Sequence, residues 1–244
     1  MWLADLLSYS AMQYSFLLEI SVESVEAAMA AERGGAQRIE LCSNASEGGT
    51  TPGPELLRAA REHLRLPIFS MVRPRAGDFV YSDGEFEAMQ RDIEAAKEYG
   101  MNGVVLGLLK DAGQIDIPRT RQLAERAKPL PVTFHRAFDE CADLRRSLED
   151  VIQTGAERLL TSGGKRTAPE ALELLGELVR IAGTRIIVMP GSGLHAGNIR
   201  EVAGKTGARE FHAGLSSIVA DPGNNLGAFE EESRRLATVL GECG

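Results

Sequence analysis

The sequence has no CxxC pair, no GxGxxG turn after its first strand, no excess of basic residues and no apolar run long enough to cross a bilayer. Each absence excludes a class. Cys42, Cys141 and Cys243 are widely spaced and odd in number, in a chain large enough to fold without staples, so they read as free thiols in a reducing, cytoplasmic setting. A formal net charge of −8 at pH 7 argues against a nucleic-acid or anionic-membrane surface, because phosphate-rich partners attract basic faces. It leaves room for a local pocket that takes a small anionic molecule. The lack of a spanning run excludes a transmembrane helix. Without a glycine fingerprint after strand one, an open dinucleotide-binding sheet loses its main support.

What is present is repetition. With 43% hydrophobic and 25% charged residues in 244, the composition is that of an ordinary globular chain with one large core. PVTFHRAFD, residues 131–139, is the clearest unit: a short buried strand, a charged end at His135 and Arg136, a loop with Asp139, then an amphipathic helix. The same unit recurs eight times. Strands are predicted at Phe16–Ser21, Arg38–Cys42, Pro67–Val72, Gly103–Gly107, from Pro131, at Arg158–Thr161, Arg185–Met189 and Glu210–Ala213. Helices between them carry their own signals. Gly34-Gly35 closes the first and Pro54 opens the second. Ser82 with Glu85, and Thr167 with Glu170, have capping-box spacing. Phe86, Met89, Ile93 and Ala96 line one face of the third helix, and Leu144, Leu148, Val151 and Ile152 one face of the fifth. Short strands alternating with helices call for parallel pairing, and eight units call for closure: a single α/β domain, a (β/α)8 TIM barrel, over residues 16–244.

Residues 1–15 stand apart as an N-terminal extension. They lack a basic start, carry Asp5 and hold no sustained apolar run, so they do not read as a signal peptide. Trp2, Leu3, Leu6 and Leu7 would share a helix face, which suits an extra helix docked on the barrel or on a second copy in a homo-oligomer. An upstream start is the other reading.

In such a barrel, function sits at the C-terminal ends of the strands. Period-two alternation puts Glu19 with Ser21, and Glu40 with Cys42, on one face of their strands. Facing inward, the two carboxylates need opposite charge, and Arg73 and His135 can supply it from strands three and five. One reading is an ion cluster that only specifies packing. The other is a catalytic group of Glu19, Glu40, Arg73 and His135, with Glu40 and His135 as acid/base candidates.

Glycine-rich turns follow strands six, seven and eight: Ser162-Gly163-Gly164, Gly191-Ser192-Gly193 and Gly214. They either make tight turns only or form a backbone cradle for an oxyanion, where barrels often hold phosphate. Cys42 is the third signal. Its thiolate suits Cu(I), with Met71, Met189, His135 and His212 as available partners, yet no MxxM or HxxxH spacing accompanies it, and a lone buried cysteine also serves as a small apolar group.

Taken together, RIELC with SEGGTTPG, MVRPRAGDFVYSD, PVTFHRAFD, RLLTSGG, VMPGSG and EFHAG resemble the copper homeostasis CutC family, in order, from Phe16 to about Ser217. The resemblance implies a cytoplasmic single-domain barrel with a role in copper handling. Some members carry a second cysteine near the end of strand one, where this chain has Ser21, so a copper ligand carries over only at Cys42 and implies weak binding. Lys110-Asp111 after strand four also departs from the family pattern. The rival reading is an enzyme of unassigned reaction on a small phosphorylated or carboxylated substrate at the strand ends.

Overall fold

The computed structural model describes residues 16–215, 219 and 225–243; the predicted N-terminal helix lies outside them. Strands β1 (Leu17–Val22), β2 (Arg38–Leu41), β3 (Ile68–Met71), β4 (Gly103–Leu106), β7 (Val132–Phe134), β8 (Arg158–Thr161), β9 (Ile187–Pro190) and β10 (Glu210–Ala213) form one sheet. Its order is β10-β1-β2-β3-β4-β7-β8-β9, with every pairing parallel. A parallel bridge between Gly191 and His212 joins β9 to β10 and closes the ring. The remaining two strands, β5 (Leu109–Lys110) and β6 (Gln114–Ile115), make a small antiparallel hairpin after β4. Ala112 and Gly113, both at positive φ, turn it. No periodicity announces a hairpin so short.

The helices are α1 (Val25–Arg33), α2 (Pro54–His63), α3 (Asp83–Glu98), α4 (Ile117–Ala127), α5 (Leu144–Thr154), α6 (Leu172–Ala182), α7 (Ile199–Thr206) and α8 (Leu226–Gly241). Their ends follow local chemistry. Ser82 and Glu85 form the reciprocal box at the start of α3, and Phe86, Met89, Ile93 and Ala96 are its buried face. Thr167 and Glu170 do not form one. The Thr167 hydroxyl donates to the Glu170 carboxylate at 2.6 Å instead, and a 3-10 turn over Ala168–Ala171 precedes α6. The left-handed step after α1 falls at Gly35, φ 95°, while Gly34 stays right-handed. Strand β9 starts two residues later than the apolar run suggests, since Arg185 leaves the sheet to pair with Glu149 at 2.7 Å.

Alternation sorts the side chains. Leu18, Ile20, Ile39, Leu41, Ile68 and Val104 face the helices and are fully buried. The opposite parity fills the barrel. Phe69, Met71, Val105 and Cys42 make a small apolar cluster there, and Gly103 is glycine because a Cβ would stand 2.6 Å from the Phe69 ring.

Candidate functional site

A charged layer lies across the barrel interior. Arg38 donates from Nε to Glu19 and from Nη2 to Glu210, the latter at 2.7 Å, and Arg158 reaches Glu210 at 2.9 Å. The Arg38 guanidinium also lies 4.8 Å from the centroid of the Phe69 ring. His212 Nδ1 donates to Glu19 Oε1 at 2.7 Å. Glu19 is therefore met by Arg38 and His212, not by Arg73 and His135, the partners suggested by parity. Burial would raise its pKa, but the Arg38 charge and the His212 hydrogen bond outweigh that and hold it at about 2.

Arg73 lies past the end of β3 and turns into the loops. It donates to the carbonyls of Glu47, Gly49 and Gly77 at 2.8 to 2.9 Å and stacks on Phe79. It clamps loop backbone and forms no ion pair with a carboxylate among the described residues. His135 caps the 3-10 turn Arg136–Glu140, its Nδ1 accepting from the Ala137 amide at 3.2 Å. Burial, then the nearby Arg73 charge, push its pKa down to about 3, so the ring is neutral. Its Nε2 is buried with no hydrogen-bond partner among the described residues.

Above the charged layer a cavity of about 290 Å³ opens at the C-terminal end of the strands. Glu40, Cys42, Met71, His135, His212 and Ser192 are among its walls, with Gly193 and Gly214. Glu40 Oε2 is buried there without a hydrogen bond. Burial raises the Glu40 pKa to about 7, His212 opposing and Glu19 adding to the shift. Burial would lower the His212 pKa, but the carboxylates of Glu40 and Glu19 raise it. One donor atom from each of Glu19, Glu40 and His212 falls within 4.8 Å of the others. Cys42 sits on the wall, its thiol 3.6 Å from the Val22 carbonyl. Burial pushes this thiol well above its ordinary value, and Glu40 and Glu23 push it further.

The glycine-rich loops divide. Ser192, Gly193 and Gly214 face the cavity; Ser162, Gly163, Gly164 and Gly191 are not on its wall. The Gly191 amide donates to the Thr161 carbonyl at 3.0 Å. The loop after β8 holds an anion from its own chain: the Asp139 carboxylate accepts from the amides of Ser162 and Gly164 at 3.0 Å and from the hydroxyls of Thr161 (2.5 Å) and Ser162 (2.9 Å). Arg136 Nε adds a fifth donor at 2.8 Å.

Sequence reasoning gave Arg38 and Asp139 no role in the site, and named His212 only as an available partner for copper at Cys42. Arg38 shares the parity of Glu40, and His212 that of Glu210, so their inward direction was legible. Which strands meet across the ring was not.

The CutC family profile matches residues 16–217 of this chain. The chain belongs to the CutC family. Among curated relatives, a CutC family protein of Chromobacterium violaceum is 50% identical over 204 residues, covering 84% of this chain and 83% of the relative. The human copper homeostasis protein cutC homolog is 48% identical over 202 residues, covering 83% and 74%. A crystal structure of CutC from Streptococcus agalactiae superposes with a TM-score of 0.77 at 32% identity, over 81% of this chain and 98% of that one. The CutC match covers the whole described ring of strands, and with it every residue of the charged layer and the cavity.

Proposed function

We propose that this CutC-family chain serves copper homeostasis in the cytoplasm and contacts copper at most weakly, as cargo, through Cys42. The observation that carries this reading is the position of Cys42, which lines the cavity together with Met71 and packs with it in one small cluster. The Cys42 sulfur and the Met71 terminal methyl carbon lie 3.4 and 3.3 Å from the point a Cβ on Gly49 would occupy. The names of the human and mouse relatives, copper homeostasis protein cutC homologs, support it. So do the unpaired cysteines, which suit a reducing compartment. Among the described residues no helix is long and apolar enough to cross a membrane.

The donor set limits the affinity. Cu(I) prefers two or more soft ligands, and here one thiol must first lose a proton that burial holds firmly. Glu19, Glu40 and His212 offer hard and borderline atoms instead. Competition against a Cu(I) chelator tests the reading. Wild type should bind weakly, Cys42→Ser should lose that binding, and Cys141→Ser with Cys243→Ser should keep it. Equal affinity in wild type and Cys42→Ser refutes a direct contact.

A second reading is favoured by the buried, unpartnered Glu40 Oε2 and His135 Nε2, both on residues that line one cavity. It makes the chain an enzyme on a small phosphorylated or carboxylated molecule, with Ser192, Gly193 and Gly214 nearest its anionic group. Phosphate should then raise the melting temperature in a concentration-dependent way, and Gly193→Asp should abolish the rise.

A further inference from the structure

The two buried histidines of the cavity are held in opposite tautomers. The Ala137 amide can only donate, so His135 Nδ1 keeps its lone pair and the single proton of this neutral ring sits on Nε2. The Glu19 carboxylate, which Arg38 keeps ionised, can only accept, so His212 carries a proton on Nδ1. The nitrogen left over on a neutral His212 is an acceptor. The His135 ring is also confined by its neighbours. Gly107 is glycine because a Cβ would stand 2.5 Å from His135 Nδ1, and the Phe79 ring closes the other side, 4.9 Å between centroids.

A donor on one wall and acceptors on another describe the shape of a ligand. His135 Nε2 and Glu40 Oε2 are both buried and unsatisfied among the described residues, a state that destabilises the fold. Buried atoms without partners also occur on Arg73, Tyr81, Thr120 and Thr133, none of which lines this cavity. His135 and Glu40 belong to the cavity that His212 also lines.

We propose that this cavity is an enolising site for a small α-hydroxycarbonyl compound, with His135 Nε2–H bound to the carbonyl oxygen, His212 Nε2 facing the α C–H and Glu40 accepting from the hydroxyl. The step is balanced within the ligand and the protein. The C–H bond breaks, its proton goes to His212 Nε2 and its electron pair forms the C=C bond. The carbonyl π pair moves to the oxygen, where the His135 N–H stabilises the enolate. Return of the proton to the neighbouring carbon, with transfer of the hydroxyl proton between the oxygens, gives the isomeric carbonyl compound. No oxidant or metal is consumed. A neutral imidazole suits the donor role because it polarises the carbonyl without giving up its proton, and the Glu19 carboxylate stabilises the imidazolium that forms on His212. The inference gives the enzyme reading a reaction class and does not rest on copper.

Two measurements test it. Nitrogen-15 NMR of the histidine rings in the ligand-free protein at pH 8 should show His135 protonated on Nε2 and His212 on Nδ1; a proton on His135 Nδ1, or none on His212 Nδ1, overturns the proposal. The second follows exchange of α-hydrogens in D₂O by proton NMR, with glycolaldehyde, dihydroxyacetone, dihydroxyacetone phosphate and ribose 5-phosphate as probes. Wild type should exchange at least one probe tenfold or more faster than His212→Gln, and His135→Asn should lose the same exchange. Exchange of all four no faster than in His212→Gln overturns the assignment. Copper binding at Cys42 would be untouched by either failure, and a failed copper assay would leave both measurements unchanged.

Discussion

Replacing Arg38 by methionine isolates the interaction on which the barrel interior depends. Methionine keeps most of the apolar stem and removes the guanidinium, with its contacts to the Phe69 ring and the Met189 sulfur. The guanidinium is buried and bridges two carboxylates. Glu210 retains Arg158 at 2.9 Å, and Glu19 retains only His212. Breaking a buried pair from one side costs about 3–5 kcal/mol, and we expect a loss in that range at pH 7.5. The pH dependence gives a sharper test. In the wild type Glu19 titrates at about 2 against an ordinary 4.5, so its ionisation contributes about 3 kcal/mol. That contribution is complete above pH 4.5 and is lost as pH falls towards 2. In Arg38→Met the main lowering influence is gone and burial remains, so Glu19 titrates above 4.5 and its charge opposes folding at neutral pH. Acid then relieves the variant at Glu19, which does not titrate in this range in the wild type, whereas the protons taken up by Glu40 and His212 stabilise both proteins. The stability difference should therefore shrink by about 1–2 kcal/mol between pH 7.5 and pH 5. Urea unfolding followed by circular dichroism at several pH values measures it. A difference below about 1 kcal/mol at pH 7.5, or one that stays constant with pH, would refute the reasoning.

Asp139→Ala leaves four donors without their acceptor, two of them backbone amides, while the Ser162 hydroxyl keeps the Lys165 carbonyl at 2.5 Å, and should destabilise by about 3–5 kcal/mol. Because the loop after β8 is an anion site filled by its own chain, acetate in excess should recover part of the lost melting temperature, whereas chloride at equal ionic strength should not. Gly107→Ala drives a methyl group into the His135 ring and should cost about 1–3 kcal/mol, read by thermal unfolding, with loss of the Ala137 to His135 hydrogen bond seen as faster amide exchange at Ala137. Thr167→Ala removes no backbone cap, since its hydroxyl bonds only to the Glu170 side chain, and should change stability by less than about 0.5 kcal/mol in the same assay, where Ser82→Ala should cost about 1 kcal/mol.

The amino-acid sequence alone determined the repeating unit and with it the barrel. Strand and helix periods are local, so Arg158–Thr161 and Glu210–Ala213 were legible to the residue, as was the buried face Phe86, Met89, Ile93 and Ala96. Parity also gave the inward direction of Glu19, Glu40, Cys42 and His135. Their partners belong to the tertiary structure. Glu19 on β1 is met by Arg38 from the next strand and by His212 from the last one, because closure puts β10 beside β1, 193 residues away along the chain. Arg73 looked like an inward charge by the same parity. Two residues beyond the end of β3, the path of the loops decides instead, and three carbonyls capture it. The glycine-rich turn after β8 announced an anion site, and nothing in its local pattern could say that the anion is Asp139, delivered by the loop after β7. Which acids, bases and amides are left for a ligand is a property of the closed ring, since every strand end competes for the partners that closure brings to it.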